Sequence, residues 1–165
     1  ELYKLEDAQK NKIGVVQYIK IEDCQDVYPG KLNPKNAKYV IKNLDFGIKQ
    51  AAENKKIALV TGPIQKSNIV DGGFKNFQGH TEWIQKRTKS NNVVMLLASK
   101  KIKVALATTH IPLADVAINI KKARLIEIIK ISDTTIIPLK YIDYNVTKVF
   151  RLNGTFMLNF YGTFF

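Results

Sequence analysis

Residues 58–113 read ALVTGPIQKSNIVDGGFKNFQGHTEWIQKRTKSNNVVMLLASKKIKVALATTHIPL, and their pattern decides the fold. Residues 56–61, 92–98 and 103–109 are short, nearly continuous apolar runs, the form taken by buried strands. The first is expected to be a central strand, ended by Gly62-Pro63. The other two are separated by little more than Ser99-Lys100-Lys101 and predict an antiparallel hairpin. Helices are expected over residues 64–70 and 81–89, with Trp83 packing inward. Both histidines of the chain lie in this stretch, in Gly79-His80-Thr81-Glu82 and in Thr108-Thr109-His110-Ile111-Pro112-Leu113. An α/β fold places its chemistry at such strand ends and turns, and imidazole is the usual side chain for metal ligation and proton transfer near neutral pH.

Outward from this stretch the alternation continues. Residues 13–21 (IGVVQYIKI) are β-branched with partial alternation and predict a strand. Asn33-Pro34 is a helix start, with Asn as the cap and Pro at the first helical position. Ala37, Val40, Ile41, Leu44, Ile48 and Ala52 then recur at helical spacing over residues 34–53. Residues 112–130 predict another helix, with Val116, Ile120, Leu125 and Ile128 facing inward. The aromatic- and asparagine-rich segment 138–165 has β-like runs and no acid–base constellation. Alternating strands and helices with one hairpin imply an α/β fold with a mixed sheet.

Composition narrows the class. The chain has 165 residues, 45% hydrophobic and 24% charged, enough for a buried core. A single cysteine, Cys24, forms no internal disulfide, so a cytoplasmic setting is expected. No apolar run approaches the roughly 20 residues that span a bilayer. The net charge is +12, carried by dispersed lysines with only three arginines, Arg87, Arg124 and Arg151. Base readout and phosphate clamps favour arginine, so a solvated lysine surface is preferred to nucleic-acid binding. Such a field also attracts anionic substrates.

The ordered motifs resemble one family. Gly30-Lys31-Leu32-Asn33, Ala37-Lys38-Tyr39-Val40, Ala58-Leu59-Val60-Thr61-Gly62-Pro63-Ile64 with Lys66, Gly79-His80-Thr81-Glu82, Val93-Val94-Met95-Leu96-Leu97-Ala98 and residues 104–113 follow the order and spacing of 4-hydroxythreonine-4-phosphate dehydrogenase, the PdxA family of vitamin B6 synthesis. The resemblance implies NAD(P)-linked, divalent-metal-dependent oxidation, with decarboxylation, of 4-phosphooxy-L-threonine. Zinc is the metal it implies first, with magnesium or cobalt as alternatives. It also implies a layered α/β/α subunit related to isocitrate and isopropylmalate dehydrogenases, of which this chain is a part, and a homodimer. By the same resemblance His110 is one of three metal histidines, and His80 and Thr81 contact the phosphorylated hydroxy amino acid substrate. Neither a catalytic nor a cofactor-binding residue is assigned.

The chain departs from the family in three places. The Gly-Asp-Pro-Ala-Gly-Ile-Gly-type start, the Asn-Pro-His-Ala-Gly motif and the Tyr-His-Asp-Gln-Gly motif are absent, and Arg151-Leu152-Asn153-Gly154 only echoes the approach to the second. Two histidines cannot complete a three-histidine site beside His80, and a second copy lacks the same motifs. Residues 1–130 are therefore read as the PdxA-like segment and 131–165 as a divergent C-terminal segment of a truncated member. The alternatives are a non-catalytic remnant of the family, or a member acting on threonate or erythronate 4-phosphate.

Each residue also has a plainer reading. His110 can be an unliganded strand-end histidine, and Thr81 a helix N-cap. Lys66 can be solvated, Asp115 a helix-start acid rather than an orienter of histidine, and Gly72-Gly73 a turn rather than a phosphate contact. Cys24 is read as a plain thiol and Trp83 as packing.

Overall fold

The computed structural model describes residues 1–10, 12–54, 57–98, 103–133, 148–152 and 155–159. Their main elements are α1 (Ala37–Glu53), β1 (Leu59–Thr61), α2 (Lys66–Asp71), α3 (His80–Thr88), β2 (Val94–Ala98), β3 (Lys103–Ala105), α4 (Leu113–Asn119), α5 (Lys122–Asp133), β4 (Lys148–Leu152) and β5 (Thr155–Asn159). They form two compact units, Glu1–Phe46 with Gln65–Phe77, and Gly47–Ile64 with Gln78–Phe165.

In the first unit the start of α1 forms as its sequence dictates. Asn33 Oδ1 accepts from the Lys35 N–H (3.1 Å) ahead of a 3-10 turn over Pro34–Asn36 that runs into α1. This removes one of the orphan donors of a helix start. Ala37, Ile41 and Leu44 are buried along one stripe, while Val40 is only half-buried. Buried Asn36 is satisfied at both ends: its Oδ1 accepts from the Gln25 N–H (2.7 Å) and its Nδ2 donates to the Gln25 carbonyl (3.1 Å). Gly72 lies so close to the 3-10 turn that an added Cβ would stand 2.2 Å from Ala37 Cβ and 2.5 Å from the Pro34 carbonyl oxygen. Packing, rather than a phosphate contact, thus accounts for glycine there.

Residues 13–21 do not form the expected strand. Among the described residues they have no ladder partner, and Ile13, Val15, Val16 and Tyr18 are exposed. β-Branched composition suits a pleated surface, but a strand exists only where another supplies the main-chain bonds.

The second unit is built on a five-stranded mixed sheet in the order β1-β5-β4-β2-β3. β1 and β5 are parallel, and the other neighbours are antiparallel. The β2–β3 hairpin is as the sequence predicts, with Leu96 opposite Ala105. β1, expected to be central, is the outermost of the described strands, and Val60 is 51% exposed. Its apolar run is explained on one side by α1: a Cβ at Gly47 would sit 2.6 Å from Leu59 Cδ1. Ile48 and Ala51 carry the α1 stripe here, Ala51 replacing the expected Ala52, which is exposed. α5 lies against β2 and α3 against β4. Trp83, Ile84, Val94, Met95, Leu96 and Ile128 form the core. Full burial of a side chain such as Ile84 contributes about 1.5–3 kcal/mol.

The helix expected over 112–130 is broken. α4 ends at Asn119, whose Nδ2 donates back to the Asp115 carbonyl (2.8 Å), and Ile120 is extended at φ −81°, ψ 98°. Ile118, Asn119 and Ile120 are weak helix formers, and α4 buries no residue that would override their preference. Ile128 faces inward as expected, whereas Ile120 is exposed.

Candidate functional site

The hairpin sets the geometry. Because β2 and β3 run antiparallel, the residues leading into β2 lie at the same end of the sheet as the residues leaving β3. Leu106 extends the pairing by one bond, its N–H donating to the Met95 carbonyl (2.9 Å). The chain then leaves the sheet through Ala107, Thr108 and Thr109. These residues line a pocket of about 160 Å³ together with Thr81, Glu82 and Gln85 of α3, Asn91 and Val93 at the start of β2, and Arg124 of α5.

Helix α3 puts Thr81 there for a local reason. Gly79 precedes the helix at φ 149°, ψ 179°, a conformation open essentially to glycine alone, and its carbonyl accepts from the Trp83 N–H (3.1 Å). The helix begins at His80, so Thr81 sits one residue inside it and is not the N-cap. Trp83 is 8% exposed and carries the Arg87 guanidinium 4.7 Å from its ring centroid. Burial of Trp83 and Ile84 sets the rotation of the helix that turns Thr81, Glu82 and Gln85 to the pocket.

Arg124, like Gln85 and Asn91, is a pocket residue that the sequence did not single out. Its Nη1 donates to Asn92 Oδ1 (2.5 Å) and to Glu127 Oε2 (3.4 Å), and its Nη2 donates to the Val93 carbonyl (3.3 Å). The guanidinium thereby ties α5 to the lead-in of β2. The available signal was weak: arginine is scarce in this chain, but Asn92 lies 32 positions away. Three threonines, a glutamine, an asparagine, an arginine and a glutamate thus line a single space. Hydroxyls both donate and accept, and the guanidinium donates in a fixed fork. The lining suits a small polar ligand bearing an oxyanion.

The two histidines flank this pocket in sequence without lining it. His80 is half-buried at the start of α3. His110 is exposed and follows Thr109 directly, with a left-handed backbone at φ 58°. That conformation is uncommon for a residue with a Cβ, and such positions cluster at functional sites. Thr81 and Thr109, the residue before His110, thus line the same pocket. Lys66 is exposed at the start of α2 and is not part of the lining. The Asp115 N–H donates to the Pro112 carbonyl, and its carbonyl accepts from Asn119 Nδ2. Cys24 is an exposed free thiol.

Among the described residues no three His, Cys, Asp or Glu side chains converge as a metal site. His110 is a single donor, and a closed site needs about four. A metal centre is thus not complete within the described residues. No described helix is long and apolar enough to cross a membrane.

Known proteins bear on this site. Residues 1–153 match the sequence model of the family described as pyridoxal phosphate biosynthetic protein PdxA, past the residue-130 limit of the recognisable motifs. The 4-hydroxythreonine-4-phosphate dehydrogenase of Yersinia enterocolitica serotype O:8 / biotype 1B is 42% identical over 120 residues, 73% of this chain and 36% of that protein. Its namesake in Erwinia tasmaniensis is 39% identical over 125 residues, 76% of this chain and 38% of that protein. The crystal structure of the Klebsiella pneumoniae enzyme of that name superposes with a TM-score of 0.59 at 24% identity, over 72% of this chain and 35% of that one, a likeness of fold. The chain spans 36–38% of the length of the curated relatives it matches.

Proposed function

This chain belongs to the PdxA family of pyridoxal phosphate biosynthetic proteins, and on that premise we propose that it carries part of a substrate site for 4-phosphooxy-L-threonine. The reaction is the dehydrogenase chemistry of pyridoxal phosphate synthesis, NAD(P)-linked and metal-dependent. The observation that carries the reading is the shared pocket of Thr81 and Thr108–Thr109, next to His110. In it Thr81 meets the phosphorylated substrate through its hydroxyl, and the His80 imidazole meets the substrate from the neighbouring position at the start of α3. His110 serves as one donor to a divalent metal whose other ligands come from outside the described residues, and the assembled site belongs to a homodimer. When bound, such a metal lowers the pKa of a substrate alcohol. The residues of this chain bind and orient: the Thr81 hydroxyl bonds an anionic oxygen, and α3 holds it in place.

A second reading has its own support. It is a remnant of the family that binds the substrate without turning it over, consistent with His110 being joined by no cluster of metal donors among the described residues. Calorimetric titration with 4-phosphooxy-L-threonine, with erythronate 4-phosphate and inorganic phosphate as competitors, tests the shared premise. Loss of a hydrogen bond to a charged group costs about 1.5–3 kcal/mol, so Thr81→Val is expected to bind about 10- to 100-fold more weakly. Equal binding by the variant, or none by the parent, defeats the assignment. NADH formation in the presence of zinc then separates the enzyme from the remnant.

A further inference from the structure

We propose that residues 15–21 are an edge strand that pairs with a β-strand from the part of a family-length subunit lying outside this chain. The first observation is alternation. Gln17, Ile19 and Ile21 are half-buried while Val16, Tyr18 and Lys20 are exposed, the period-two pattern of a strand with one face packed. None of these residues is in a helix or turn.

The second is main-chain demand. Among the described residues, the backbone of this run makes two bonds. The Val15 N–H donates to the Lys12 carbonyl (3.1 Å) in a turn, and the Tyr18 carbonyl accepts from the Leu2 N–H (2.8 Å). In a strand, residues of one parity direct their N–H and C=O to one edge and their neighbours to the other. Tyr18 faces Leu2, so Gln17, Ile19 and Ile21 face the opposite edge. The third is apolar exposure: Val15 at 52%, Val16 at 85% and Tyr18 at 53%. Exposed edges of this composition are ordinarily blunted or paired.

One fact selects the occupant. The Yersinia and Erwinia relatives are matched over only 36% and 38% of their own lengths, so most of a family-length subunit lies beyond the matched part. A second copy of this chain is the other occupant that the test distinguishes. The inference needs no turnover and is independent of the substrate assignment.

Amide hydrogen exchange tests it in two proteins. One is the 165-residue chain; the other is a chimera in which this chain replaces the region it matches in the Yersinia enterocolitica relative. The amides of Gln17, Ile19 and Ile21 are expected to exchange at least about 100-fold more slowly in the chimera. Equal rates in a chimera shown by circular dichroism to be folded overturn the proposal. So does protection in the 165-residue chain that rises with its own concentration as light scattering shows a doubled mass, which makes a second copy the occupant. If the chimera does not fold, the relative itself is measured at its aligned residues, where protection supports the pairing and free exchange refutes it.

Discussion

Replacing Gly72 by alanine probes the tightest packing in the first unit. Gly72 has φ −78° and ψ 10°, which alanine adopts without strain, so backbone conformation does not set the outcome. Space does. The new Cβ would lie 2.2 Å from Ala37 Cβ, 2.5 Å from the Pro34 carbonyl oxygen and 3.2 Å from the Asn68 carbonyl oxygen. Carbon atoms in contact normally sit about 3.5–4.0 Å apart, a shortfall of more than about 1 Å. The first obstacle is fixed to a helix backbone and the second is main chain, so neither can rotate away. Helix α2 and the turn Pro34–Asn36 must part. Overpacking of this kind costs about 1–3 kcal/mol, and here the upper end applies. Reduced entropy of the unfolded chain returns about 0.4–1 kcal/mol. The net is a destabilisation of about 2 kcal/mol. At a urea dependence of about 2 kcal/mol/M, the midpoint followed by circular dichroism falls by about 1 M. Gly62, with nothing within 4 Å of its would-be Cβ, is the control, and Gly62→Ala is expected to gain about 0.4–1 kcal/mol. A Gly72→Ala midpoint equal to or above that of the parent would refute the reasoning.

Other perturbations address the site and its supports. Arg124→Met keeps the apolar stem but leaves Asn92 Oδ1 and the Val93 carbonyl without their donor. With the side chain 35% exposed, a loss of about 1 kcal/mol in urea unfolding is expected, and no loss would mean the tie is idle. His110→Gly relieves a left-handed backbone worth about 1–2 kcal/mol while adding unfolded-state entropy. It should be within about 1 kcal/mol of the parent, whereas β-branched His110→Val should be clearly less stable. Glu22 is hydrogen-bonded by Lys42, which holds its carboxyl below the ordinary value of 4.5. A lowered folded value means that the ion pair's contribution is present above the unfolded value and lost as pH falls through the folded one. Glu22→Gln should therefore flatten the acid limb of stability against pH below about 4.5; an unchanged limb counts against the pair.

What the sequence disclosed was local. Asn33, Pro34 and the stripe from Ala37 to Ile48 specify α1 through contacts a few residues apart. The hairpin was legible because its two apolar runs are nearly adjacent. The ordered motifs, more than any single one, pointed to the family. What stayed hidden was long-range. The run 56–61 has the apolar character of a central strand, yet which strands flank it is decided by β5, far along the chain. Residues 13–21 have strand composition but no neighbour to pair with among the described residues. Arg124 reaches the pocket by bonding near Asn92, and no spacing rule announces that tie. The left-handed backbone of His110 was invisible because histidine, unlike glycine, does not advertise it.

The most direct test of the substrate reading is a two-dimensional NMR titration of the intact chain with 4-phosphooxy-L-threonine, in the presence and absence of zinc. Coincident, saturable shifts at Thr81, Thr108 and Thr109 and at both imidazoles, with His110 responding to the metal, are the predicted result. Unmoved resonances at these residues at millimolar ligand would contradict it.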